Sequence, residues 1–231
     1  MTWKVPHIWL GGDVWIIGGG PSVPKQFDVP EEVIQSVVRK TSLPNVYSPY
    51  MSYLHDKHVI GVNAAYTIGN WMDIIFFGDK SFFLSNEKQL AAYPGMKVSC
   101  HECVNNLEWC KYVAHDTSHR TGISLDQRMV SWNNNSGAAA ISLAAHLGAK
   151  RIILLGFDMT LDSGKQHWHS LYPNSANNKQ GRQIKTPFER HLLGFPAIAS
   201  DAKKLGIEIL NANPNSAITC FPKVTVKELM K

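Results

Sequence analysis

The sequence predicts an α/β protein: one open, mostly parallel sheet with helices on both faces, plus a polar lid region. Three observations carry this. Short apolar runs rich in β-branched residues, such as Val14-Trp15-Ile16-Ile17 and Ile152-Ile153-Leu154-Leu155, alternate with helical segments along the chain. The runs are apolar throughout rather than alternating, as expected for strands covered on both faces. With 231 residues, 44% hydrophobic and 18% charged, the chain is long and apolar enough for a sizeable core and is not a disordered one. Neither repeats nor a linker break it, so one domain over 1–231 is expected.

The elements follow in order. Val14–Ile17 is a first strand ending in glycine. Val33–Lys40 reads as a helix, because Pro30, Glu31 and Glu32 suit a helix start. Val59–Asn63 and Met72–Gly78 are the second and third strands, Ser85–Tyr93 a helix and Lys97–Cys100 the fourth strand. The alanine-rich run Ala138–Leu147 has high helix propensity, with Ser136 as its expected cap and Gly148 as its stop. Lys150–Gly156 is the clearest buried strand. The polar stretch 160–187 reads as a long loop or lid, extending to about 190 with its flanks. Phe188–Leu205 is helical with an expected break at Gly194-Phe195-Pro196, and Ile207–Leu210 is the last core strand.

Composition narrows the partners. A formal charge of +5 favours anionic ligands: a nucleotide, a phosphorylated sugar or a nucleic acid. No apolar run approaches the length of a membrane span. The start MTWKVPHIWLGGDVW lacks the apolar centre and cleavage site of a signal peptide, so a cytoplasmic chain is expected. Cys100, Cys103 and Cys110, with His101, His115 and His119 nearby, leave two readings open: a zinc site, or reduced cysteines filling core space.

In open α/β sheets ligands bind outside the carboxyl ends of the strands. The residues just after each strand therefore define a candidate site. They are Gly18, Gly19, Gly20, Pro21 and Ser22, then Asn63, Asp79, Asn135, Ser136 and Gly137, Asp158, and finally Asn215 and Ser216. Three glycines allow close approach of a backbone turn to a ligand, and Pro21 is placed to begin a helical turn, a phosphate-binding arrangement. It is not the dinucleotide fingerprint, because Val23 stands where the last glycine would be. Ser136-Gly137 at a helix start repeats the device. Asp79 is suited to sugar or ribose hydroxyls, or to capping the next helix. His167 and His169 flank Trp168 in the lid, and His191 follows on the next helix; each is a candidate proton acceptor. The His-x-His pair with Asp158 could instead hold a metal.

The stretches IIGGGPSV, GVNAAY, NSGAAAISLAAHLGAKRIILLGFDM and LGIEILNANPNSAI, in this order, resemble the family 42 sialyltransferases. They are also similar to the Rossmann-like domain of 6-hydroxymethyl-dihydropterin diphosphokinases, and the chain's ending looks like phage-encoded members of that superfamily. The resemblance runs from about Val14 to Ser216. It implies a nucleotide-sugar donor held by Gly18, Gly19, Gly20, Ser22, Asn63, Ser136 and Gly137, with a histidine near the last helix as base. The chain departs from the pattern at Gly19 and Asp79, where the family carries Asn, and at Asn133 and Asn135, where it carries Arg and Thr. Those departures point away from CMP-sialic acid and toward another nucleotide sugar, for example a UDP-sugar.

The expected function is thus a glycosyltransferase that needs no cofactor and moves a sugar from a UDP- or CMP-sugar to an acceptor hydroxyl. The acceptor would be a glycan or a hydroxymethylated base in phage DNA, with Trp168 as a stacking platform for the base. The alternatives are a diphosphokinase with magnesium on Asp79 or Asp158, and a non-catalytic nucleotide-binding module.

Overall fold

Strand β1 (Asp13–Ile17) leads through the short α1 (Ser22–Lys25), α2 (Glu31–Val38) and a 3-10 segment (Pro44–Leu54) to β2 (His58–Val62). A second 3-10 segment (Asn63–Ile68) precedes β3 (Ile74–Phe77), α3 (Lys80–Ala92) and β4 (Met96–Ser99). Three short strands follow, β5 (Cys110–Tyr112), β6 (Ala114–His115) and β7 (Met129–Val130), then α4 (Ser136–Leu147) and β8 (Arg151–Leu155). Next come α5 (Phe188–Leu192), α6 (Phe195–Leu205), β9 (Glu208–Asn211) and α7 (Val226–Leu229). The computed structural model describes residues 1–171 and 187–231; residues 172–186 of the expected lid lie outside the described residues.

Seven strands form one sheet in the order β5-β4-β3-β2-β1-β8-β9, and all their pairings are parallel. This is the predicted Rossmann-like α/β class. The chain lays β2 to β5 on one side of β1, then returns through α4 to place β8 and β9 on the other. The strand order therefore reverses between β1 and β8, which opens a crevice at their carboxyl ends.

Side chains on a strand alternate between faces, and the two apolar layers follow that alternation. Val14 and Ile16 join Ile152, Leu154, Ile141 of α4 and Ile198 of α6 on one face. Trp15 and Ile17 join Ile153, Leu155, Ile34 of α2 and Tyr47 on the other. Helix α4 is buried at all but one of its 12 residues. Its alanines carry no bulk beyond Cβ, so the helix axis approaches the sheet closely enough for both sides to be covered.

Several boundaries move. α2 begins at Glu31, before the expected start, because its polar first turn hides the helical period; α3 begins at Lys80, and its first turn buries Phe82 and Phe83. The expected break in the late helix is present, between Leu192 and Phe195. Asn135, not Ser136, caps α4: its Oδ1 accepts the N–H groups of Gly137 at 2.8 Å and Ala138 at 3.3 Å. No helix among the described residues is long and apolar enough to cross a membrane.

Candidate active site

The glycine turn after β1 faces the protein before it faces any ligand. A Cβ on Gly20 would stand 2.6 Å from both the Asp158 carboxyl carbon and the Gly156 carbonyl oxygen. A Cβ on Gly19 would stand 2.7 Å from Nδ1 of His167. Three of the turn's amides are engaged internally as well. Gly18 N–H donates to Leu155 O at 2.8 Å, Gly20 N–H to Gly156 O at 2.9 Å and Ser22 N–H to Asp158 Oδ2 at 2.8 Å. Of the amides expected to cradle a phosphate, those of Gly18, Gly20 and Ser22 are thus turned to partners within the protein. The glycines exist so that the β1 and β8 loops can interlock. The amides of Gly137 and Ala138 are likewise taken, by the Asn135 cap.

Asp158 is the bolt of that lock. Its oxygens accept Ser22 Oγ at 2.5 Å and Asn213 Nδ2 at 2.8 Å as well as Ser22 N–H. Burial pushes its carboxyl up, and the bonds from Ser22 and Asn213 oppose that. With its oxygens so engaged it is poorly placed as a metal ligand. Ser216 is also structural: its hydroxyl donates to Phe157 O at 2.7 Å and accepts from Asn211. Asn215 is exposed on the same loop.

Above the crevice lies a cavity of about 390 Å³. It gathers Gly18, Gly19, Gly20, Asn63, Asp79, Asn135, Ser136, Gly137, Asp158, His167, His169 and His191 into one lining. Pro21, Ser22, Asn215 and Ser216 lie outside that lining. Arg190, from α5, lines it too and was not anticipated from sequence; its signal was the neighbouring His191 on one short helical turn.

The histidine segment is anchored from below. Trp168 is 1% exposed, its indole Nε1–H donates to Gly18 O at 2.9 Å, and its backbone N–H donates to Gly19 O at 3.0 Å. A ring so deeply placed, edge-on to Tyr47, cannot stack on a substrate, which corrects its expected role as a platform. Ser170 Oγ closes the segment onto Val38 O at 2.6 Å.

The anchoring fixes two different tautomers. His167 Nδ1 lies 3.3 Å from Gly19 O. A carbonyl only accepts, so Nδ1 carries the ring proton and Nε2 the lone pair. His169 Nδ1 accepts Leu171 N–H at 3.3 Å, which puts its proton on Nε2. The two rings are stacked at 5.0 Å. Burial lowers the pKa of His167, that of His169 to about 3 and that of His191 to about 4. All three therefore stay neutral in the folded protein at neutral pH.

The unfolded rings take up a proton below about pH 6.5, while folded His169 and His191 resist it until about 3 and 4. The unfolded state then binds more protons, so stability present above pH 6.5 is lost as pH falls toward 4. Asp116 and Asp201, held near 2 against their usual 3.8, contribute only below that range. Urea midpoints at pH 7.5 and 4.5 should differ, lower at 4.5, and His169→Gln should flatten the difference.

Among the described residues the cysteines are not gathered into a zinc site. Cys100 is 2% exposed in the core, and burial raises its thiol; burial raises Cys110 to about 12. Among the described residues no group of three or more His, Cys, Asp or Glu is placed to hold a metal ion.

Fold and cavity together define an α/β protein with a crevice at the switch point of a parallel sheet. Among solved structures it is similar to the sialyltransferase CstII from Campylobacter jejuni in complex with a substrate analogue, cytidine-5′-monophosphate, at 15% identity and TM-score 0.54, over 94% of this chain and 86% of that one. It is also similar to the monofunctional α-2,3-sialyltransferase Cst-I from the same organism, at 14% identity and TM-score 0.53, over 93% of this chain and 80% of that one. At these identities the likeness concerns the fold. No protein-family model and no curated protein matches the sequence.

Proposed function

We propose that the protein is a glycosyltransferase that moves a sugar from a nucleotide-sugar donor to an acceptor hydroxyl. One observation carries the reading: a neutral imidazole of fixed tautomer, His167, lines the cavity at the sheet's switch point. The likeness in fold to a sialyltransferase solved with cytidine-5′-monophosphate supports it.

In this reading His167 Nε2 takes the proton of the acceptor hydroxyl as its oxygen attacks the anomeric carbon. The bond from that carbon to the phosphate oxygen breaks, and its electron pair leaves with the nucleotide. Arg190 faces the charge that develops on the phosphate. His169, whose Nδ1 lone pair is already engaged, packs against His167.

The test is a thermal-shift screen of UDP-, CMP-, GDP- and ADP-sugars and of ATP with magnesium. A nucleotide sugar at about 100 times its Kd should raise stability by about 2.7 kcal/mol, several degrees in Tm. Mass spectrometry with the best donor, offered glycans and hydroxymethylated DNA in parallel, then reads the acceptor. Stabilisation by ATP and magnesium alone would move the reading to phosphoryl transfer, and no stabilisation at all would leave catalysis unsupported.

A further inference from the structure

The wall of the cavity built by the ends of β2 and β3 and the start of α4 carries polar capacity that the fold does not use. Asp79 is the residue before α3, where an aspartate ordinarily accepts from the helix's first N–H groups. Its side chain makes no such bond. It turns to α4 instead, where Ser136 Oγ donates to Oδ2 at 3.1 Å, and the residue is exposed along the cavity lining. Asn63 is held at a φ of 51°, a left-handed conformation uncommon outside glycine and tolerated by asparagine. Its Oδ1 is buried with no hydrogen-bond partner among the described residues, and Nδ2 of Asn135 is in the same condition. Asn135 spends its oxygen on the α4 cap, which leaves the amide nitrogen as a donor. All three residues line one cavity.

We propose that Asp79 is the specificity-determining residue of this site: it reads the hydroxyls of an uncharged ring on the donor and disfavours an anionic substituent there. The inference rests on the glycosyltransferase reading and deepens it. A carboxylate is an acceptor only, so its partners are hydroxyls that donate, and two neighbouring ring hydroxyls match its two oxygens. Asn63 and Asn135 line the same cavity, their unpaired amide atoms buried just behind its surface. A carboxylated ring set against Asp79 would meet like charge at contact distance. Arg190 comes from α5, a different element, and in this assignment it serves the phosphate. His191, also on α5 and electrostatically coupled to Asp79, is neutral near pH 7 and does not cancel that charge.

The experiment compares wild type and Asp79→Asn, both checked for unchanged melting without ligand. Calorimetry would measure binding of a uridine diphosphate hexose, the matching hexuronic acid donor, and a ribo- and 2′-deoxyribonucleotide pair. Wild type should bind the neutral hexose donor about 100-fold or more tighter than the hexuronate, the scale of a like-charge penalty, and Asp79→Asn should bring the two within about tenfold. If Asp79→Asn instead erases only the ribo-over-deoxyribo preference, the ring read is the nucleotide's ribose, and the proposal stands with that source. Ratios unchanged by Asp79→Asn in both pairs overturn it. Should folded wild type bind no nucleotide sugar at all, the glycosyltransferase reading itself fails, and this inference with it. Ser136→Ala, which frees Asp79 to cap α3, should weaken the discrimination in the same direction.

Discussion

His167→Ala is expected to lower kcat about 10²- to 10⁴-fold, the ordinary contribution of a positioned general base, with donor-induced thermal stabilisation largely kept. The prediction is specific to this histidine. Its Nδ1–H is held on Gly19 O, so Nε2 has the lone pair that proton abstraction needs. His169 has the opposite tautomer, and burial holds its pKa near 3, so its imidazole is the weaker base of the two. Because burial also lowers the pKa of His167, the acid limb of kcat/KM should fall below the usual histidine value of about 6.5. Steady-state rates from pH 4.5 to 8.5 for both alanine variants decide the matter. Full turnover by His167→Ala, with loss in His191→Ala, would transfer the role to the α5 histidine.

Trp168→Ala is expected to cost about 3–5 kcal/mol of folding stability, the range for deleting a buried aromatic side chain. The residue is nearly sealed, fills space against Tyr47 and makes the one side-chain bond that ties the histidine segment to Gly18 O. Trp168→Phe keeps most of the ring and strands the Gly18 carbonyl, so it should cost less, about 1–3 kcal/mol. Urea denaturation gives both numbers. Measured where each variant is still folded, kcat should fall in the alanine protein although Trp168 touches no substrate. Without the plug, His167 is no longer held over the glycine turn. An alanine variant as stable as wild type would show that the segment is not anchored through this ring.

The fold class was legible because its signal is local and redundant. Val14–Ile17, Ile152–Leu155 and the alanine run of α4 each state their structure within a few residues, and their order implies a parallel sheet. β5, β6 and β7 were not legible. They are two or three residues long and exist only because a neighbouring strand offers its backbone groups. The same contrast divides the site. Twelve of the expected residues do share one cavity, since the strand-end rule depends on topology alone. Their roles were read less well: the glycines, Ser22, Asp158 and Ser216 proved to hold loops to one another. A glycine made necessary by a ligand and one made necessary by a distant carboxylate are spelled alike.

Local pattern alone was thus enough for the parallel α/β architecture and for the strand ends beside which the cavity opens, because both follow from hydrophobic periodicity and chain order. It took the folded arrangement to show which histidine has its lone pair on Nε2, that Trp168 is a plug rather than a platform, and that Asp79 turns from its own helix toward the cavity. Each of these depends on a hydrogen-bond or packing partner far away in sequence, Gly18 and Gly19 against Trp168 and His167, and Asp79 against Ser136. No local pattern encodes which distant group will be within reach.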